Sequence, residues 1–256
     1  MDGDLARTIE FLTELFRRTS TRTEPFEWGT AFFHDGFPKR YDSNFLLVER
    51  PLEGVSARAL SSEADRILAE LGHREIVVAH DASGERLAIG LGRDGYSADH
   101  LVVMAQRRRP DRDSPIPVEE VDADALIPLV ALASIGEHPG MQEHDAWMLA
   151  EFRRVLAREV SARFFIARVD GEPASYCELY TDGVISQVED VNTLERHRGR
   201  GLARAVVLRA AREARASGAD LVFLHADTDD WPKQLYAKLG FDPIGHLWSF
   251  VRVPDS

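Results

Sequence analysis

The chain has a single cysteine, Cys177, no run of eighteen apolar residues and no excess of positive charge. One thiol excludes an internal disulfide and any multi-cysteine metal site, and Cys177 is read as a small apolar filler in a strand. Without a long apolar run there is no candidate membrane-spanning helix. The acidic start Met1-Asp2-Gly3-Asp4 also lacks the basic-then-apolar plan of a signal peptide. A cytoplasmic protein with no membrane partner is expected. The formal net charge of −12 argues against a nucleic-acid partner, because phosphate backbones demand a basic face. No G-x-S-x-G segment and no Cys-His nucleophile signal occurs. His138 and His144, with Glu137 and Glu143, stand in a Gly/Pro-containing loop at a spacing that matches no standard ligand set, so no metal is expected.

What is present is ordinary globular composition: 256 residues, 44% apolar and 29% charged, enough for two small domains or one large one. The one basic run, Arg107-Arg108-Arg109, leads into Pro110-Asp111-Arg112-Asp113-Ser114-Pro115. Charge, two prolines and no apolar periodicity mark this as a solvated linker and the best boundary, dividing domains 1–110 and 111–256. Beyond it the pattern predicts a strand at 117–121, helices at 124–135 and through Trp147 to Leu156, and strands at 163–169 and 173–180. Asp170-Gly171 joins those two strands as a hairpin turn. A strand over 184–191, a helix from Leu202, a strand at 221–225, a short helix around Tyr236 and a closing strand at 245–253 follow.

The densest signal is Arg198-Gly199-Arg200-Gly201-Leu202-Ala203, where a strand hands over to a helix. A helix that begins on glycines exposes its first backbone N–H groups, and its positive dipole end favours an anion. A pyrophosphate is the expected guest. A Walker loop needs Lys-Ser or Lys-Thr after the second glycine, and a dinucleotide fingerprint needs three glycines; neither is present.

The run resembles the R-x-x-G-x-A/G signature of the GNAT acyl-CoA N-acyltransferase superfamily, in Arg198, Gly201 and Ala203. Leu235-Tyr236-Ala237-Lys238-Leu239-Gly240-Phe241 resembles that family's L-Y-x-K-x-G-F segment, in the right order and followed by a strand. The resemblance spans 115–256 and implies a mixed, mainly antiparallel α/β sheet flanked by helices, with acetyl-CoA as co-substrate wedged between two splayed strands. It implies cofactor contacts at Val191, Asn192, Thr193, Arg198, Gly199, Arg200, Gly201, Leu202, Ala203, Arg204 and Asp229. At Asp229 many relatives carry Asn, and a carboxylate beside an anionic cofactor puts that contact in doubt.

The N-terminal half echoes the end of this plan. Gly72 to His80 parallels Gly218 to His225, and Gly95-Tyr96 before His100-Leu101 parallels Gly240-Phe241 before His246-Leu247. A tandem arrangement with a degenerate N-terminal copy is one account; chance likeness of short strands is the other. Nothing between Glu49 and Gly72 supplies R-x-x-G-x-A, and Leu91 stands where the tyrosine would fall, so the first half is expected to hold no CoA.

Amide formation from a thioester needs a neutral amine, a polarised carbonyl and a proton for the thiolate. In the family a backbone N–H near Val191, Asn192 and Thr193 polarises the carbonyl. Tyr236 is either the acid that protonates the thiolate or a core tyrosine packed on Leu239 and Phe241. Val188-Glu189-Asp190 resembles the L-E-D of spermidine/spermine-type acetyltransferases, which makes Glu189 either the base for the ammonium proton or a structural carboxylate. Asp190 is expected on the opposite face of the strand. Gln187 occupies the place where histone-type relatives carry Glu. Met141, His144 and Trp147 are candidate acceptor-wall residues, and the aromatics from Phe26 to Tyr41 are read as core of the first half. The reading is an N-acetyltransferase acting on a small-molecule or peptide amine by direct attack, with a homodimer left open. A non-catalytic acyl-CoA-binding module is the alternative.

Overall fold

Ala31, Phe33, Leu46 and Val48 alternate with Phe32, Phe45 and Leu47, and all seven are buried, so the strands that carry them must be covered on both faces. The computed structural model describes residues 3–253, which form two units. The first comprises the chain up to Val103 with Ala226–Lys233 and the residues from Ile244 onward; the second comprises Met104–His225 and Gln234–Pro243. The division falls before the linker, and two C-terminal segments join the N-terminal unit, unlike the expected single cut at 110/111.

In the first unit, helix α1 (Gly3–Thr19) precedes strands β1 (Arg22–Phe26), β2 (Gly29–Phe33) and β3 (Phe45–Val48). Helix α2 (Ala57–Ile67), β4 (Arg74–Val78), α3 (Asp81–Arg93) and β5 (Ser97–Gln106) follow. Phe16 of α1 packs with Phe32 and Phe45 on one face. Leu60 and Ala64 of α2 and Leu87 and Leu91 of α3 pack with Ala31, Leu46 and Ile76 on the other.

The second unit holds β6 (Val118–Val121), α4 (Ala123–Glu137), α5 (Glu143–Ala150), α6 (Phe152–Glu159), β7 (Arg163–Val169), β8 (Glu172–Asp182) and β9 (Ile185–Thr193). Then come α7 (Leu202–Ala216), β10 (Leu221–Asp227), α8 (Pro232–Lys238) and β11 (Phe241–Arg252), the last three shared in part with the first unit. Where one helix through Trp147 and Leu156 was expected, there are two, with Glu151 between them. Asp170 and Gly171 take φ of 52° and 86°, the left-handed pair that a two-residue hairpin requires. α4 lies over Phe164, Ile166 and Tyr176. α7 takes the opposite face, where the Cys177 thiol reaches the Val206 carbonyl at 3.3 Å.

Both units are mixed, mainly antiparallel sheets flanked by helices, ordered β1-β2-β3-β4-β11-β5 in the first and β10-β9-β8-β7-β6 in the second. Element order repeats as well: α1-β1-β2-β3-α2-β4-α3-β5 runs in the sequence α6-β7-β8-β9-α7-β10-α8-β11. In each copy two antiparallel pairs lead to one parallel pair, β3 with β4 and β9 with β10. The weak echo in sequence is therefore a structural repeat.

The copies differ where the parallel strands meet. β3 pairs with β4 to its last residue, Val48 with Val78, and Ala79 N–H continues to the Val48 carbonyl at 3.1 Å. The β9–β10 ladder stops at Gln187 with Phe223, although β9 runs on to Thr193. The second unit thus has an opening between its parallel strands, and the first has a closed seam.

Candidate active site

The turn after β9 ends on two glycines because the backbone there is left-handed: Gly199 has φ of 75° and Gly201 of 81°, a region closed to most side chains. Gly201 is the N-cap of α7, and no side chain caps that end. Ala205 N–H makes the first helical bond, to the Gly201 carbonyl at 3.2 Å, so the N–H groups of Leu202, Ala203 and Arg204 precede the ladder and face outward as donors. The corresponding helix of the first unit is different. Ser56 caps α2 by accepting from Ala59 N–H at 3.1 Å. Arg86 donates to the carbonyls of Val55, at 2.9 Å, and Leu52, filling that loop with protein donors.

Arg198 is exposed; its Nε donates to the Thr193 carbonyl at 3.1 Å and its Nη2 lies 3.4 Å from Glu137 Oε1. Glu137, at the end of α4, also accepts from Asn192 Nδ2 at 2.9 Å. One carboxylate therefore ties the glycine turn to the end of β9. Ser175 Oγ bonds the Asn192 carbonyl at 2.6 Å and Thr193 Oγ1 at 2.8 Å, anchoring Asn192 and Thr193 from β8. Arg200 is exposed at the turn's apex.

The Arg204 side chain is turned away from its own N–H. It is buried, with Nη1 donating to Asp111 Oδ1 at 2.6 Å and to the Arg112 carbonyl at 3.1 Å. The 107–113 segment is exposed, as a solvated linker would be, but it is tied down by hydrogen bonds and ion pairs. Arg107 and Arg108 N–H groups both donate to the Gly240 carbonyl, Asp111 N–H donates to the Lys238 carbonyl at 2.8 Å, and Arg108 pairs with Asp242 at 2.7 Å. Gly240 has φ of 90°, and a Cβ there would sit 2.1 Å from the Arg108 carbonyl oxygen. The glycine of the L-Y-x-K-x-G-F segment thus makes room for the strap that crosses it.

Past the end of the β9–β10 ladder, β9 carries one residue more than its other neighbour. Glu189 lies opposite Glu178 and Asn192 opposite Tyr176, so three steps on β9 match two on β8. Asp190 takes up the extra residue with φ of 47°, making a bulge. This overturns the strict alternation expected of Glu189 and Asp190. Arg153 of α6 donates from Nε to Glu178 Oε1 at 2.7 Å and from Nη2 to Asp190 Oδ2. Asp190 is thereby drawn to the side of Glu178, the cross-strand neighbour of Glu189. Tyr180 OH donates to the other oxygen of Glu178.

Three carboxylates and one guanidinium leave a net negative, poorly hydrated cluster. Burial, then the charges of Asp190 and Glu178, push Glu189 up to about 7, against the Asp190 N–H and the Gln187 amide, which favour its ionised form. Glu178 is raised by its burial, with Arg153 opposing. On β10, burial lowers His225 to about 4, leaving a neutral imidazole at physiological pH. Arg153, Glu178 and Tyr180 carry no recognisable motif. The one signal for them is an acid inside the apolar run Tyr176-Cys177-Glu178-Leu179-Tyr180, which in a buried strand requires a partner.

Tyr236 of α8 is buried, and its ring meets Phe241 at 6.4 Å and 60°, so it takes part in the packing that its core reading described. Val191 is half-buried, one residue past the bulge. Asp229 falls in the 226–233 segment of the first unit, where its N–H donates to Asp227 Oδ1 at 2.7 Å. Met141 leans on the α4 core, His144 is exposed and Trp147 is 40% exposed. No helix among the described residues is long and apolar enough to cross a membrane.

Residues 131–241 match the model of the acetyltransferase (GNAT) family. That segment is a GNAT domain. A GCN5-related N-acetyltransferase from Kribbella flavida shares the fold over 100% of this chain and 98% of its own, with a TM-score of 0.65 at 19% identity. A functionally unknown conserved protein from Staphylococcus epidermidis is similar over 91% and 94%, with a TM-score of 0.68 at 13% identity. A tandem GNAT protein from the clavulanic acid biosynthesis pathway matches over 78% and 70%, with a TM-score of 0.54 at 18% identity. No curated protein matches the chain in sequence. The fold shared along the chain with these structures, one of them a tandem GNAT protein, agrees with the internal repeat, whose first copy differs in its closed seam and filled loop.

Proposed function

We propose that this GNAT protein is an N-acetyltransferase that moves an acetyl group from acetyl-CoA to a primary amine of a small molecule or peptide, in the cytoplasm and by direct attack. The observation that carries the reading is Glu189, a carboxylate raised to about 7 on a strand that has just parted from its parallel neighbour. A base with a pKa near the operating pH is the effective one for removing a proton from an ammonium group.

The turn fits a pyrophosphate: left-handed glycines and an uncapped α7 present N–H donors with no acidic side chain capping them. Acetyl-CoA would supply the thioester. The amine nitrogen attacks the thioester carbon, the C–N bond forms and the C–S bond breaks. Glu189 accepts the ammonium proton through water before attack, a backbone N–H in Val191–Thr193 polarises the carbonyl, Tyr236 gives a proton to the departing thiolate, and the second proton lost from nitrogen as the amide forms restores the Tyr236 hydroxyl.

The test is release of free CoA thiol when acetyl-CoA is mixed with a panel of amines, amino acids and peptide N-termini. Turnover with at least one acceptor is expected. Binding of acetyl-CoA without turnover on any of them would replace this reading with that of a non-catalytic acyl-CoA-binding module.

A further inference from the structure

The corresponding last strands of the repeat each carry a histidine, His100 on β5 and His246 on β11, and these strands are adjacent in the first unit. Their rings lie 4.9 Å apart. Asp81, the first residue of α3, points its carboxylate between them: Oδ1 is 3.0 Å from His100 Nε2 and Oδ2 is 3.6 Å from His246 Nδ1. One ligand atom from each of the three lies within 4.8 Å of the others. Ligands about 2.0–2.1 Å from a tetrahedral Zn²⁺ are separated by roughly 3.3 Å, so the two Asp81 oxygens lie near that spacing from the imidazoles, and the widest separation in the triad has to contract by no more than about 1.5 Å for an ion to bind.

The surroundings hold these groups in place. Trp248 Nε1 donates to Asp81 Oδ1 at 2.9 Å, and its indole stacks on the His100 ring at 4.1 Å and 13°. That N–H fixes the carboxylate, and the stacking fixes the plane of the imidazole, as outer partners of metal ligands commonly do. The His100 carbonyl accepts from Thr228 N–H at 2.8 Å, at the start of the acidic stretch Asp227-Thr228-Asp229-Asp230. A negative neighbourhood of this kind favours a cation.

We propose that Asp81, His100 and His246 bind a divalent transition-metal ion of the Zn²⁺ class, with water completing its coordination, as a clip joining the start of α3 to β5 and β11. Two imidazoles and one carboxylate are borderline donors that suit Zn²⁺, Co²⁺ or Ni²⁺ and not Mg²⁺ or Ca²⁺, which take oxygen. This site lies outside the GNAT domain's cofactor turn and is independent of the acyl-transfer reading. Its ligands stand at positions 81, 100 and 246, so no local spacing announces it.

The test uses the full chain freed of metal by a chelator and then dialysed. Zn²⁺ titrated calorimetrically should bind one per chain and raise the melting temperature, Co²⁺ should give a visible absorption band, and Mg²⁺ should do neither. His100→Gln combined with His246→Gln should abolish the Zn²⁺ heat, whereas His138→Gln combined with His144→Gln should leave it unchanged. Trp248→Phe should weaken affinity about tenfold to hundredfold. Absence of Zn²⁺ binding in the unaltered protein would overturn the proposal, and so would undiminished binding in the His100/His246 variant. The first of these results does not depend on any variant folding.

Discussion

Arg153 Nε donates to Glu178 Oε1 at 2.7 Å, and both side chains are buried in the GNAT domain. An ion pair in that position is indispensable once made, because removing one partner leaves the other charged and unhydrated. Arg153→Met should therefore destabilise the protein by about 3–5 kcal/mol. The loss should be smaller at pH 5 than at pH 8, since an unpaired Glu178 can take up a proton at the lower pH. Urea unfolding at the two pH values measures this, and an equal, small loss at both would show that the pair is dispensable.

Replacement of Gly201 by Glu should abolish the rise in melting temperature that acetyl-CoA gives the unaltered protein. The new residue must adopt a φ of 81° and sets a negative charge against the pyrophosphate. NAD and ATP at the same concentration should give no comparable shift. A full acetyl-CoA shift in the variant would remove the α7 turn from consideration as the cofactor site.

Titration calorimetry should give one acyl-CoA per chain. The first unit pairs its parallel strands to the end, caps α2 with Ser56 and fills the preceding loop with Arg86. Two equivalent sites would mean that these three features do not keep the ligand out.

Tyr236→Phe removes one hydroxyl and should lower turnover by on the order of 10²–10⁴-fold with little change in acetyl-CoA affinity. Glu189→Gln should cost most near neutral pH and less at high pH, where the amine is already deprotonated in solution. The same variant should be more stable than its parent at pH 8. A carboxyl raised to about 7 in the fold and near 4.3 when unfolded lowers stability as pH climbs between those values, by up to about 4 kcal/mol. A rate loss that is uniform with pH would make Glu189 structural.

Much of the fold could be read from local pattern. Asp170-Gly171 specified its hairpin, and Leu202 to Ala214 specified the apolar stripe of α7, because turn chemistry and helical period depend only on neighbours in sequence. The bulge could not be read this way. Asp190 sits in left-handed backbone that no glycine marks, and one inserted residue turns an alternating pattern onto a single side. Arg107 to Asp113 reads as solvated by composition and is exposed, but composition does not show that Arg108, Asp111, Asp113 and the backbone have partners at Lys238, Gly240, Asp242, Arg204 and Arg212. The same long-range pairing hid Arg153 from view and joined Asp81 to His100 and His246.

The first unit counts β11 among its strands, with Trp248 opposite Val78 and Arg252 opposite Arg74. Those residues leave the ribosome after the entire GNAT domain sequence up to Pro243. The first unit therefore completes its sheet only after β11 has emerged, however early its own α1 to β5 do, and the edge of β4 waits unpaired until then. Expression of residues 1–110 alone would leave that edge open, so the first unit depends on strand residues that follow the second in sequence.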